Sequence, residues 1–208
     1  MTRMISRLYD DHEAARAAVR ALEDAGVAHG DITILASNAD NWYSPDREAD
    51  TYPDRDLDGR DDRAEAAGAG AGIGATVGGA AGLLTGLGLM AIPGVGPVVA
   101  AGWLVATLAG AAAGGATGGV IGALTQAGVG KEEADIYAEG LRRGGAVVSA
   151  RVPDADAVRL QAVMDRAAVN ITERSAAYRK GGWKSFDPRA TPYTADQIRR
   201  ERELYTGR

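Results

Sequence analysis

The chain opens on alternation. From Arg3 to Tyr9, residues Ile5, Arg7 and Tyr9 share one side of an extended segment and Met4, Ser6 and Leu8 the other, which predicts a β-strand. The period then changes. Asp10 and Glu13 have the spacing of a capping box, and Ala15, Ala18, Val19 and Leu22 recur at helical intervals. Gly26 supplies a stop, and a short strand follows over 31–36 with Ile32, Ile34 and Leu35.

The same grammar returns more than a hundred residues later. Ala146 to Val152 alternates, with Val148, Ala150 and Val152 on one face. Pro153 and Asp154 open a helix whose Ala157, Leu160, Met164 and Ala167 face one way, and Asn170 to Arg174 reads as a last strand. The two halves, 1–37 and 145–176, combine most economically into an α+β, ferredoxin-like (split β-α-β) sandwich. That sandwich has four antiparallel strands with two helices on one face, and leaves the other sheet face free for oligomerisation.

Three pieces separate the halves, and a fourth follows them. Residues 38–65 are polar and Asp-rich and contain Pro45 and Pro53, the pattern of a linker. Residues 66–130 contain no charged residue. Residues 131–144 form an amphipathic helix, with Ala134, Tyr137, Ala138 and Leu141 on one stripe and Gly144-Gly145 as its stop. After the second half, 177–208 is a basic polar tail in which Ala195 to Tyr205 predicts a short exposed helix.

The uncharged segment carries the strongest pattern. Glycine occupies 70, 74, 78, 82 and 86, then 102, 110, 114, 118 and 122, with Ala106 in the one gap. A spacing of four places Gly70, Gly74, Gly78, Gly82 and Gly86 on one helix ridge, and Gly102, Ala106, Gly110, Gly114, Gly118 and Gly122 on another. Missing side chains let a second backbone approach closely along such a ridge. Each glycine costs about 1 kcal/mol against alanine inside a helix, so only close packing offsets the series. Pro93, Gly94, Gly96 and Pro97 mark the turn between the two arms of a helical hairpin. Two readings follow. In the first, the hairpin inserts into the cytoplasmic membrane with the α/β domain in the cytosol, Trp103 serving as an interfacial anchor. In the second, it forms the interior of a soluble homo-oligomer, a ring or filament in the cytoplasm.

Composition narrows the function further. Aromatic residues are 5% of the chain, with one Phe, so any core is built from alanine and short aliphatics. A net charge of −5 argues against a nucleic-acid surface. With no cysteine, disulfides and thiolate chemistry are excluded. The N-terminus lacks the apolar run of a secretory signal.

Candidate chemistry is sparse. Asp54, Asp56, Asp58, Gly59 and Glu65 fit a calcium loop, in which alternating carboxylates wrap a hard cation and a glutamate closes it. Against this, Pro53 leaves no entering helix, so an acidic linker is the preferred reading and a calcium-responsive module the third alternative. His12 and His29 stand alone and read as surface residues. The glycine run follows a linker rather than a strand, which rejects dinucleotide binding. No catalytic residue, cofactor or small-molecule substrate is assigned, and the chain is read as a non-enzyme. The basic tail reads as solvated.

Ile-Pro-Gly-Val-Gly-Pro-Val-Val-Ala-Ala-Gly at 92–102, Gly-Lys-Glu-Glu-Ala-Asp-Ile-Tyr at 130–137 and Leu-Arg-Arg-Gly-Gly-Ala-Val-Val at 141–148 resemble the general stress protein family, typified by heat-induced YflT-like proteins. The resemblance covers roughly 3–174, omitting the Asp-rich linker. It implies stress-responsive expression and no catalysis, and it supplies no catalytic residues. The expectation is therefore a self-associating stress protein.

Overall fold

The structure, a computed structural model, describes residues 1–44, 88–103 and 119–206. The first alternating segment is strand β1 (Thr2–Tyr9). Helix α1 (His12–Asp24) is capped one residue later than the sequence pattern indicates: the Asp11 carboxylate accepts from the Ala14 amide at 2.9 Å. Its predicted stripe, Ala15, Ala18, Val19 and Leu22, is buried. Strand β2 (Ile32–Ser37) follows a single 3-10 turn.

Next come β3 (Gly88–Ile92), β4 (Gly96–Ala101), α2 (Gly119–Gln126), α3 (Lys131–Arg142) and β5 (Ala146–Pro153). Helices α4 (Ala157–Asp165), α5 (Ile171–Lys180) and α6 (Ala195–Thr206) complete the described chain. The sheet is five-stranded, in the order β1-β5-β2-β4-β3, and every neighbouring pair is antiparallel. β1 and β2, joined through α1, flank β5, which is the split β-α-β pattern. The order departs from the expected four-stranded sandwich at both ends. No described strand lies outside β1, and β4 and β3 extend the sheet beyond β2.

Four expectations are corrected. Residues 88–101, read as helical hairpin, are two strands. The glycine spacing of four lapses after Gly86, and Ile92, Val95, Val98 and Val99 are β-branched side chains that favour extended backbone. Pro93 and Gly94 do form a turn, but between strands; Gly94 and Gly96 adopt φ of 75° and 100°, open to glycine at no steric cost. Secondly, 170–174 begins a helix instead of a strand. The Asn170 side chain accepts from the amides of Thr172 and Glu173, fixing the N-terminus of α5, while Ser175 and Tyr178 turn inward one helical turn apart. Thirdly, the sheet face expected to be open is covered by α2 and α3. Fourthly, the tail expected to be solvated is folded onto the body, with Trp183 and Ile198 buried.

Period two sorts the strands between two cores. On one face Ile5, Tyr9, Ile32, Ile34, Val148, Ala150 and Val152 meet α1 and α4 through Val19, Leu22, Leu160 and Met164. On the other, Leu8, Leu35, Val98, Ala100 and Val147 meet α2 and α3 through Val120, Leu124, Tyr137 and Leu141. Outside α3 a smaller cluster of Ile136, Tyr178 and Trp183 seats α5, with Tyr205 of α6 against its rim.

Candidate functional site

Two places concentrate unusual structure: the β3–β4 hairpin and the seam where α6 meets the body. The hairpin is locked at its turn. A side chain at Gly94 would come within 2.7 Å of the Asp187 carbonyl oxygen and of Pro188, and one at Gly96 within 2.8 Å of Pro192. The segment that carries these residues is itself held where the Phe186 amide donates to the Asp135 carboxylate at 3.1 Å. The turn therefore lies against the body of the same chain.

The open end of the hairpin roots both glycine-spaced arms. Gly88, which follows the first arm, pairs with Ala100 in β4. Ala101 pairs with Ile34, and Gly102 then crosses β2 so closely that an added side chain would meet the Ile32 carbonyl oxygen at 2.4 Å. Gly102, expected on a helix ridge, instead directly follows one strand and lies close against another. Trp103 comes next, with the Arg151 guanidinium 4.7 Å from its ring centre. Arg151 also bonds the Asp31 carboxylate at 3.1 Å, so Trp103 is braced within its own fold.

Of the other packing positions, Gly122 lies on α2 with no described atom within 4 Å of where a side chain would begin. Gly70, Gly74, Gly78, Gly82, Gly86, Ala106, Gly110, Gly114 and Gly118 lie outside the described residues, as do the calcium-loop candidates Asp54, Asp56, Asp58 and Glu65. Among the described residues no three metal-ligating side chains converge. His12 stacks on Trp42 with ring centres 4.0 Å apart and planes 2° from parallel, and the indole N–H donates to the Ser37 carbonyl at 2.7 Å. His29 contacts the Glu23 carboxylate through Nδ1 at 2.7 Å.

The seam could not be read from sequence spacing, because its members come from α3, α5 and α6 and from residues that follow β1, β2 and α3. Glu139 is fully buried. Its carboxylate accepts from Arg142 at 2.7 and 3.0 Å and from Arg143 at 2.6 Å. Arg143 reaches on to Glu201 of α6 and lies 4.2 Å from the Tyr178 ring centre. Burial would lower the Arg143 pKa, but Glu201 and Glu139 overcome it and hold the guanidinium charged. Arg174 bonds Asp10 at 2.7 Å and sits 3.8 Å from the Tyr205 ring centre. Burial pushes the Tyr178 phenol up to about 12, with Arg174 and Arg143 opposing it. Arg202 donates to the Gly144 carbonyl at 2.9 Å and faces Asp40 at 3.5 Å. Four guanidinium groups meet four carboxylates, so the seam carries no charge excess to draw an ionic ligand. Its cleft holds only water-sized space.

Comparison with known proteins adds no relative: no family model, no curated protein and no solved structure matches the chain.

Proposed function

We propose that this is a non-catalytic, self-associating protein whose two glycine-spaced arms pack against those of other copies, in the stress-response setting that the family resemblance implies. One observation carries the reading: the β3–β4 hairpin roots both arms at the same end of the sheet, with Gly88 paired to Ala100 and Gly102 against β2. A paired origin offers two small-residue ridges together, and their glycines make sense only if another backbone packs on them.

Chain length weighs against the spanning hairpin. No helix among the described residues is long and apolar enough to cross a membrane. Ser44 and Gly88 both belong to the body, so the chain between them crosses a bilayer an even number of times or not at all. The uncharged stretch 66–87 would extend about 33 Å as a helix, enough for one crossing of a core about 30 Å thick and not for two. Residues 104–118, at about 22 Å, are too short for one. The Pro93–Gly94 turn, which the spanning arrangement places across the membrane, is docked beneath residues 187–192. The soluble assembly is therefore the preferred form.

The test is sizing of the full chain without detergent, after an alkaline carbonate wash of the membrane fraction. A discrete soluble oligomer is expected, reduced to monomer in both Gly78→Leu and Gly114→Leu while the circular dichroism of the α/β body is retained. A monomeric parent, assembly that survives both substitutions, or protein that resists the wash would each overturn the reading.

A further inference from the structure

Helix α6 differs from α1 and α4 in what holds it. Helix α1 buries four side chains and α4 three, all apolar. In α6 the only fully buried apolar side chain is Ile198, seated where Gly144 leaves room for it, while Leu204 is 65% exposed. The rest of its attachment is largely polar: Glu201 to Arg143, Arg202 to the Gly144 carbonyl and to Asp40, and the Tyr205 ring beneath Arg174 and against the rim of the Tyr178 cluster.

The body side of this seam is arranged to survive without α6. Arg143 is bonded to Glu139 at 2.6 Å and Arg174 to Asp10 at 2.7 Å, and neither carboxylate belongs to α6. No buried body cation is stranded, the cost that normally keeps a buried ion pair closed. On the helix side, Glu201 and Arg202 move into water. The hinge is short, because Pro192 is held over Gly96 and Thr194 caps α6: Gln197 Oε1 accepts from the Thr194 amide at 2.9 Å, and Thr194 Oγ1 from the Gln197 amide at 3.3 Å. Tyr193, the one residue between them, has the Arg142 and Arg143 guanidinium groups 5.0 and 5.4 Å from its ring centre, so the helix leaves intact once these contacts also part.

We propose that α6 is a charge-held strap that opens as a unit, driven by ionic strength, while the sheet and its covering helices stay folded. Opening uncovers the Tyr178 and Trp183 cluster and the guanidinium groups of Arg143 and Arg174. This is independent of the arms and goes beyond the self-association reading. Screening is the lever, and it acts first on the more water-accessible pair, Arg202–Asp40, ahead of the more enclosed Arg143–Glu201: the Debye length falls from about 10 Å at 0.1 M salt to about 3 Å at 1 M.

Hydrogen exchange on the full chain, followed by mass spectrometry at about 0.1 M and about 1 M sodium chloride, tests it. Amides of residues 195–206 should exchange about tenfold faster at high salt, with α3 and β5 unchanged. Glu201→Gln should reproduce the fast exchange at low salt and blunt the salt response. Exchange of α6 as slow as that of β5, or equal at both salt concentrations in the parent chain, would overturn the proposal, and neither reading depends on the variant.

Discussion

On its first face the sheet meets α1 and α4 chiefly through aliphatic side chains, among them Val19, Leu22, Ile34, Val148, Leu160 and Met164, with Tyr9 the one aromatic among its fully buried members. Beyond α3, on the opposite side, α5 and α6 are joined to the body through Arg143, Arg174, Arg202, Glu139 and Glu201, with Tyr178, Trp183 and Tyr205 between them. The first contact scales with area removed from water and is insensitive to direction or salt. The second depends on geometry and on charge, and salt weakens it wherever water reaches. A chain with few aromatics has placed three of them, together with its arginines, where aliphatic area runs out. The contrast teaches that the fold has a cooperative interior and a separately held outer layer.

The largest effect belongs to the interior. Leu22→Ala, at a fully buried site, should lower stability by about 3 kcal/mol, read from the urea midpoint at unchanged slope. Ile198→Ala removes a comparable side chain from the outer layer. If α6 opens separately, global stability falls by no more than the strap's own contribution, about 1 kcal/mol. Equal losses in the two variants would join the two regions into one cooperative unit and dissolve the contrast.

Glu139 tests the boundary between the layers. It belongs to α3, an interior helix, but its carboxylate faces outward to Arg142 and Arg143. Glu139→Gln leaves Arg142 without the carboxylate it bonds and Arg143 with Glu201 alone, at a cost of about 3 kcal/mol. The denaturation midpoint measures that cost. A loss below about 0.5 kcal/mol would mean that the seam behaves like surface ion pairs.

Much of the interior was legible in the sequence, and the outer layer was not. The stripes of α1 and α3 and the alternation of β1 and β5 name many of the residues that are buried, because a helix on one core shows one stripe and a strand between two cores sends alternate residues to each. Residues 88–101 failed for a physical reason. Glycine and alanine continue through this stretch and mask its β-branched residues, and the strands are fixed by pairing of β4 with β2, a partner more than 60 residues away in sequence, and of β3 with β4. Residues 170–174 failed because a local signal, the Asn170 cap, overrode a short apolar pattern. The seam failed because ion pairs such as Arg174–Asp10 link residues 164 positions apart, and no spacing rule reaches that far.

Gly102 ranks next in expected size. Gly102→Ala places a side chain against the Ile32 carbonyl at a φ of 99°, so the β4 end must shift, at about 2 kcal/mol. Loss of exchange protection confined to 88–101, with α1 and α4 unaffected, is the expected pattern. Spread of the loss to the first face would show that the hairpin belongs to the cooperative interior.

The smallest effect is one of pH. The His12 imidazole lies flat on Trp42, and burial lowers its pKa below 6.5; Asp11, Asp40 and Glu13 pull the other way, and Arg16 assists the lowering. The folded chain therefore favours the neutral ring. Above about pH 6.5 the ring is neutral in both folded and unfolded chains and adds no pH dependence. As the pH falls, the unfolded chain takes the proton first, and this part of the stability declines until the folded His12 is also protonated. The difference in urea midpoint between about pH 7.5 and about pH 5 should be smaller in His12→Gln than in the parent, with Trp42 emission reporting the loss of the stacked ring. An identical pH difference in the two proteins would place the titration elsewhere. Because Asp40 faces Arg202 from the same loop, a His12 effect that also changes the exchange of α6 would carry the interior's protonation state into the strap.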